Sequence, residues 1–167
     1  MADVIGLVVR FFHIAFAIAW IGAIMYGVGV LRRALPHMDP PTRKGTMKAL
    51  IPVVTQYLPG TAVMTIITGA VLYLYLGRFD PDQLWGSLWG LVLLLALALA
   101  IFAFALGMIV GVRSAKRVLK HLEEPACDHG PEVAALTARF NQAQIIVLVL
   151  GFVILALMIY AAEGGIG

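Results

Sequence analysis

Four long apolar windows constrain this chain more than any other feature of its sequence. They run from about Val4 to Leu31, from about Leu50 to Leu76, from about Leu84 to Val112 and from about Phe140 to Ala162. Each window exceeds the roughly 20 residues that a helix needs to cross the hydrocarbon core of a bilayer. Because backbone groups in lipid must be hydrogen-bonded within their own segment, helix is the expected state. The sequence predicts an all-α fold, a bundle of four transmembrane helices in which residues 1–167 form a single integral membrane domain.

The overall composition excludes an ordinary soluble domain. Hydrophobic residues make up 62% of the 167 residues, charged residues only 13%, and the mean hydropathy is +0.96. Soluble domains average roughly 45–50% apolar and about 25% charged residues. A chain this short has too little interior to hide the excess from water, so we expect the lipid bilayer itself to be its main partner.

The basic residues predict an orientation. Ten of the twelve fall in or beside two loops: Arg32, Arg33, Arg43, Lys44, Lys48, Arg113, Lys116, Arg117, Lys120 and Arg139. Only Arg10 and Arg78 are left for the opposite side. Because short cytoplasmic loops carry the excess of lysine and arginine, we expect both termini outside and both long loops inside, in the plasma or inner membrane of a prokaryote. The same bias accounts for the net charge of +3 without any nucleic-acid partner.

The two basic loops differ in their predicted structure. Three prolines in LPHMDPPTRKG predict an irregular connector between the first two helices. In the second loop we expect helix three to continue past the membrane as an amphipathic tail, to break at Pro125 and to resume after Pro131. The single cysteine, Cys127, lies there between His121 and His129, in a spacing that matches no established zinc pattern.

An arginine and a histidine interrupt the first apolar window. Ionisable side chains inside a membrane helix cost about 2.5–3.5 kcal/mol on insertion scales, which makes them candidates for function. Steps of three and four residues place Arg10, His13, Ala17 and Trp20 on one face of the helix. A cation near the surface, an imidazole below it, a small residue and an indole would suit a flat apolar cofactor with an acidic end. A haem would bind its iron to His13 and direct its propionates to Arg10.

Other roles for His13 remain open on spacing alone. A histidine in a membrane helix can hydrogen-bond a neighbouring helix, and Thr65 and Thr68 of helix two should lie near its depth. A proton relay and a metal site are further alternatives.

The first two helices resemble a known superfamily of small membrane proteins. The pattern His13-x6-Trp20-x-Gly22, followed by Tyr26, is similar to the first helix of the copper-resistance protein D family and of the four-helix membrane protoporphyrinogen oxidases. The membrane domain of certain bacterial urate oxidases belongs to the same group. The run ITGAVLYLYL, from Ile67 to Leu76, is similar to a threonine–glycine–apolar run on their second helix.

The resemblance implies a haem-b protein of the redox enzyme or electron carrier type, with His13 as axial iron ligand. It also implies a helix-three lysine tied to the chemistry of the oxidases. The third apolar window has no lysine, which argues against protoporphyrinogen oxidation. Met64 is the candidate for a second axial ligand, and a five-coordinate haem is the alternative. The competing hypothesis is a non-catalytic membrane subunit or copper-transport-related protein, in which His13 is structural or binds metal.

Two pairs of glycines on helix three predict close helix packing. Gly86 and Gly90, like Gly107 and Gly111, have the small-xxx-small spacing that lets another helix backbone approach. The partner helix could belong to the same chain, to a homodimer or to a larger membrane complex.

Overall fold

Four long helices account for nearly all of the protein in a computed structural model, which describes residues 3–124 and 130–163. Helix α1 runs over Val4–His37, α2 over Pro40–Leu76, α3 over Leu88–Glu123 and α4 over Gly130–Glu163, and each is long and apolar enough to cross a membrane. No strand occurs in the described residues. The prediction of an all-α fold with four apolar helices is therefore confirmed for this part of the chain.

The connector between α1 and α2 is much shorter than predicted. Asp39 caps α2, since its carboxylate accepts a hydrogen bond from the backbone N–H of Thr42 at 3.0 Å. Pro40 and Pro41 occupy the first two helical positions, where a missing N–H costs nothing and the fixed φ angle suits the helix. These prolines begin α2 instead of interrupting the chain, and only two residues separate the first two helices.

The start of α3 also differs from the prediction. The segment Asp82–Gly86 forms a separate π-helical turn, and Ser87 then caps α3 by accepting from the backbone N–H of Gly90 at 3.0 Å. Gly90 lies directly under the carbonyls of that turn. Gly90 is therefore packed against the segment that precedes α3, whereas Gly86 belongs to that segment and is exposed.

The amphipathic tail of α3 is present. Helical structure continues through a π-helical stretch at Gly107–Val112 into Arg113–Glu123, which packs against α2 and α4. Gly107 and Gly111 face Val147 and Gln144 of α4, so this glycine pair serves packing within the chain.

The helices pack as an antiparallel series with a small core. α1 packs mainly along α2, and α3 mainly along α4, whereas α1 and α4 meet over a short length. At that meeting point Gly151 of α4 lies so close to Ile21 of α1 that an added Cβ would overlap the isoleucine side chain. The buried core is formed by Trp20, Ile24, Ala62, Ala103 and Val147.

Candidate functional site

The imidazole of His13 is clamped between α1 and α2. The residue is only 7% exposed, and its Nδ1 atom lies 3.0 Å from the backbone carbonyl oxygen of Thr65 and 3.2 Å from Oγ1 of Thr68. The Thr68 hydroxyl donates its own proton to the carbonyl of Met64, so towards the ring its oxygen accepts. Because a carbonyl oxygen can only accept, the proton of the neutral ring must reside on Nδ1.

This tautomer leaves the other ring nitrogen of His13 as a free base. No hydrogen bond from any described residue reaches Nε2, which therefore presents an unshared electron pair. Metal-ligating histidines commonly donate their second N–H to a backbone carbonyl, which fixes the ring and raises its basicity as a ligand. The Thr65 carbonyl has this relationship to His13.

Gly69 makes the close approach of the ring to α2 possible. A Cβ atom at this position would lie 2.9 Å from Cε1 and 3.3 Å from Nδ1 of His13. Separations below 3.0 Å do not occur for real Cβ atoms. The absence of a side chain at position 69 therefore permits the hydrogen bond between His13 and Thr65.

His13 lines a large cleft of about 1360 Å³ that is bounded by all four helices. Arg10, Ala17 and Trp20 line the same cleft, so the structure brings together the face of α1 that the sequence singled out. Most of the lining is apolar, with contributions from α2, α3 and α4. Ile18 of α1 and Phe152 of α4 line the cleft and are 67% and 51% exposed, so the cleft is not sealed from its surroundings.

The only positive charge among the residues that line the cleft, Arg10, lies at the end nearest the amino terminus of α1. It precedes His13 by about one helical turn, and Gln83 and Ser87 line the same cleft. Just beyond the helix, backbone hydrogen bonding from Gly6 and a hydrogen bond from the Tyr75 hydroxyl at 2.7 Å hold the pKa of Asp3 below its usual value, with a smaller contribution from the charge of Arg10.

Two methionines line the cleft, and Met64 is not one of them. Met64 lies on α2 but is 40% exposed and does not line the cleft. Met25 of α1 and Met158 of α4 do line it. The expectation that Met64 could ligate the same iron as His13 is therefore not supported by its position, because it lies on the neighbouring face of the helix from Thr65.

A second polar cluster lies at the opposite end of the bundle. His121 of α3 lies 3.6 Å from a carboxylate oxygen of Glu132 on α4 and 4.0 Å from one of Glu124. The described residues contain no group of three histidine, cysteine or acidic side chains that could hold a metal ion. Cys127 and His129, considered with His121 above, lie outside the described residues.

Fold and site together define a four-helix protein, consistent with a multi-pass membrane protein, in which the buried His13 lines an apolar cleft between the helices. No protein-family model, curated protein or solved structure matches this chain.

Proposed function

We propose that this chain is a membrane haem-b protein, acting as a redox enzyme or an electron carrier, with His13 as an axial ligand of the iron. The observation that carries the proposal is the hydrogen bond from His13 Nδ1 to the carbonyl of Thr65, since it leaves Nε2 unprotonated beside a large apolar cleft. Haem would supply a one-electron redox centre there.

The residues that line the cleft fit a haem in three respects. His13 offers the imidazole nitrogen that b-type iron binds. Ala17 is a small residue one turn along the same face of α1, which leaves space against that helix for a flat macrocycle. Arg10, at the outer end, can pair with propionate groups through charge-assisted hydrogen bonds.

The distribution of basic residues supports a proposed orientation of the protein in the membrane. Arg10 and Arg78 lie towards one end of the bundle, and the other ten basic residues lie towards the opposite end. By the positive-inside rule, the haem end faces outward in a prokaryotic plasma or inner membrane and the basic end faces the cytoplasm. In a Cys127→Ser background, an impermeant thiol reagent added to intact cells should label Asp80→Cys and should not label Met38→Cys. The reverse pattern would overturn this orientation.

Loss of haem from a His13→Ala variant tests the central claim. The protein expressed with adequate haem supply should show a Soret band, and His13→Ala should lose it because the axial bond is gone. The control is His37→Ala, at the exposed inner end of α1, which should keep the full band. A His13→Ala protein that folds and keeps a full Soret band would remove His13 from the role of ligand.

One observation favours a second candidate. The two contacts of His13 to Thr65 and Thr68 would also serve a purely structural histidine that fastens α1 to α2 in a non-catalytic membrane subunit. In that case the purified protein has no Soret band, and His13→Ala lowers stability without any change in visible absorption. The same two samples therefore distinguish the candidates.

A further inference from the structure

We infer that Met158 of α4 is the second axial ligand, on the face of the haem opposite His13. This inference rests on the proposed haem function and goes beyond it, because it assigns a second iron ligand on a helix that carries no histidine. The sequence directs attention to α2 for this ligand, whereas the structure directs it across the cleft.

The packing of α1 on α4 sets the level of Met158. The two helices are antiparallel, and their register is fixed where Ile21 packs against Gly151. His13 lies eight residues outward of Ile21, about 12 Å along the helix axis at 1.5 Å per residue. Met158 lies seven residues outward of Gly151, about 10.5 Å by the same rise. The two side chains therefore stand at nearly one level on two walls of the same cleft.

The remaining donors in the cleft are excluded by position or by existing bonds. Met25 is the other thioether, but it lies twelve residues inward of His13, about 18 Å along the helix. The hydroxyl of Tyr73 already donates to the carbonyl of Leu84 at 2.7 Å. Among the described residues that line the cleft, Met158 is thus the soft donor at the level of the imidazole.

The chemistry of a thioether suits this location. Methionine is apolar enough for a membrane helix, yet its sulfur binds iron when an imidazole occupies the opposite position. Histidine–methionine ligation stabilises ferrous haem and raises its reduction potential. A six-coordinate iron of this type transfers electrons without an open position for a gas or a small oxidant, so the inference favours the electron carrier over the redox enzyme.

Haem-loaded full-length protein tests the assignment through its spectrum and potential. The wild type should be low-spin, with the near-infrared charge-transfer band of thioether-ligated ferric haem. Met158→Leu should keep its haem through His13, lose that band, become high-spin and bind carbon monoxide readily when reduced, and its midpoint potential should fall. Met25→Leu is the matched control, because it removes a thioether from the same cleft at another level, and its spectrum should be unchanged.

The outcomes separate this inference from the proposed function. A Met158→Leu protein with the wild-type spectrum and potential overturns ligation by Met158, and so does a wild type that is five-coordinate. In both cases a haem that is lost on His13→Ala leaves the proposed function standing. A wild-type protein that takes up no haem overturns both. Met158→His supplies a second check, since an imidazole within reach of the iron should give a low-spin spectrum without the thioether band.

Discussion

Replacing Gly69 by alanine should loosen the contact between α1 and α2 at His13. The new Cβ atom would lie 2.9 Å from Cε1 of the ring, and ordinary van der Waals contact begins at 3.4 Å. The imidazole must therefore retreat from α2 by about 0.5 Å. A retreat of that size stretches the 3.0 Å hydrogen bond to the carbonyl of Thr65 to about 3.5 Å, beyond the usual range of about 2.7–3.2 Å for such bonds.

Three terms set the expected magnitude of the Gly69→Ala effect. Overpacking costs about 1–3 kcal/mol. Loss of one hydrogen bond adds about 1 kcal/mol. Alanine returns about 1 kcal/mol through its better helix propensity. The free energy of unfolding should therefore fall by about 1–3 kcal/mol.

Reversible unfolding in mixed detergent micelles, followed by circular dichroism, measures this difference. Gly60→Ala is the matched control, because it lies on the same helix and an added Cβ would meet nothing within 4 Å. It should leave stability unchanged or raise it slightly. Equal effects of the two substitutions would refute the idea that position 69 must be empty for His13 to reach α2.

Three further predictions concern the end of the bundle that carries Asp3 and Arg10. Tyr73→Phe should lower the free energy of unfolding by about 1–3 kcal/mol, since it leaves the buried carbonyl of Leu84 without its donor, and micelle unfolding measures this. The pKa of Asp3 is lowered in the folded protein, so this carboxylate contributes to stability at pH values above its usual pKa of 3.8, and the contribution is lost as the pH falls through the lowered pKa. Asp3→Asn should remove that dependence of stability on pH. An unfolding profile below pH 4 that is the same in Asp3→Asn and the wild type would contradict this role of Asp3. Arg10→Leu should weaken haem retention, and Arg10→Lys should restore it in part, because a lysine cannot form the paired hydrogen bonds of a guanidinium; equal haem content in all three proteins would place Arg10 at the lipid surface only.

The number and type of helices could be predicted because membrane solvation acts on whole windows of sequence. A segment of about twenty apolar residues is stable in lipid as a helix, largely independently of the segments that flank it. Helix ends depend instead on single local interactions. A proline pair such as Pro40–Pro41 can either interrupt a helix or begin one. The cap supplied by Asp39 decides that here it begins α2. Ser87 likewise follows the turn Asp82–Gly86 and starts α3 through one hydrogen bond.

The half of the site that lies on α1 could be predicted, and the half on α4 could not. A histidine in an apolar window stands out because its presence is costly, and counting residues from the helix ends gives the depth of Thr65 and Thr68. Met158 gives no such signal, since a methionine in a membrane helix is ordinary. Its relation to His13 depends on the contact between Ile21 and Gly151, which is a tertiary fact. The need for glycine at position 69 likewise becomes apparent only from its contact with the ring of His13.

The apolar lining of the cleft has a consequence for how any occupant is bound. An apolar ligand that exchanges with the cleft partitions into the surrounding lipid or detergent, so its occupancy follows its mole fraction in that phase and not its molar concentration in the buffer. Detergent tails compete for the same apolar surfaces, and every added micelle dilutes the ligand further. The bound fraction of the purified protein should therefore fall as the detergent-to-protein ratio rises at constant protein and ligand, and it should recover when the same material is returned to a small amount of lipid.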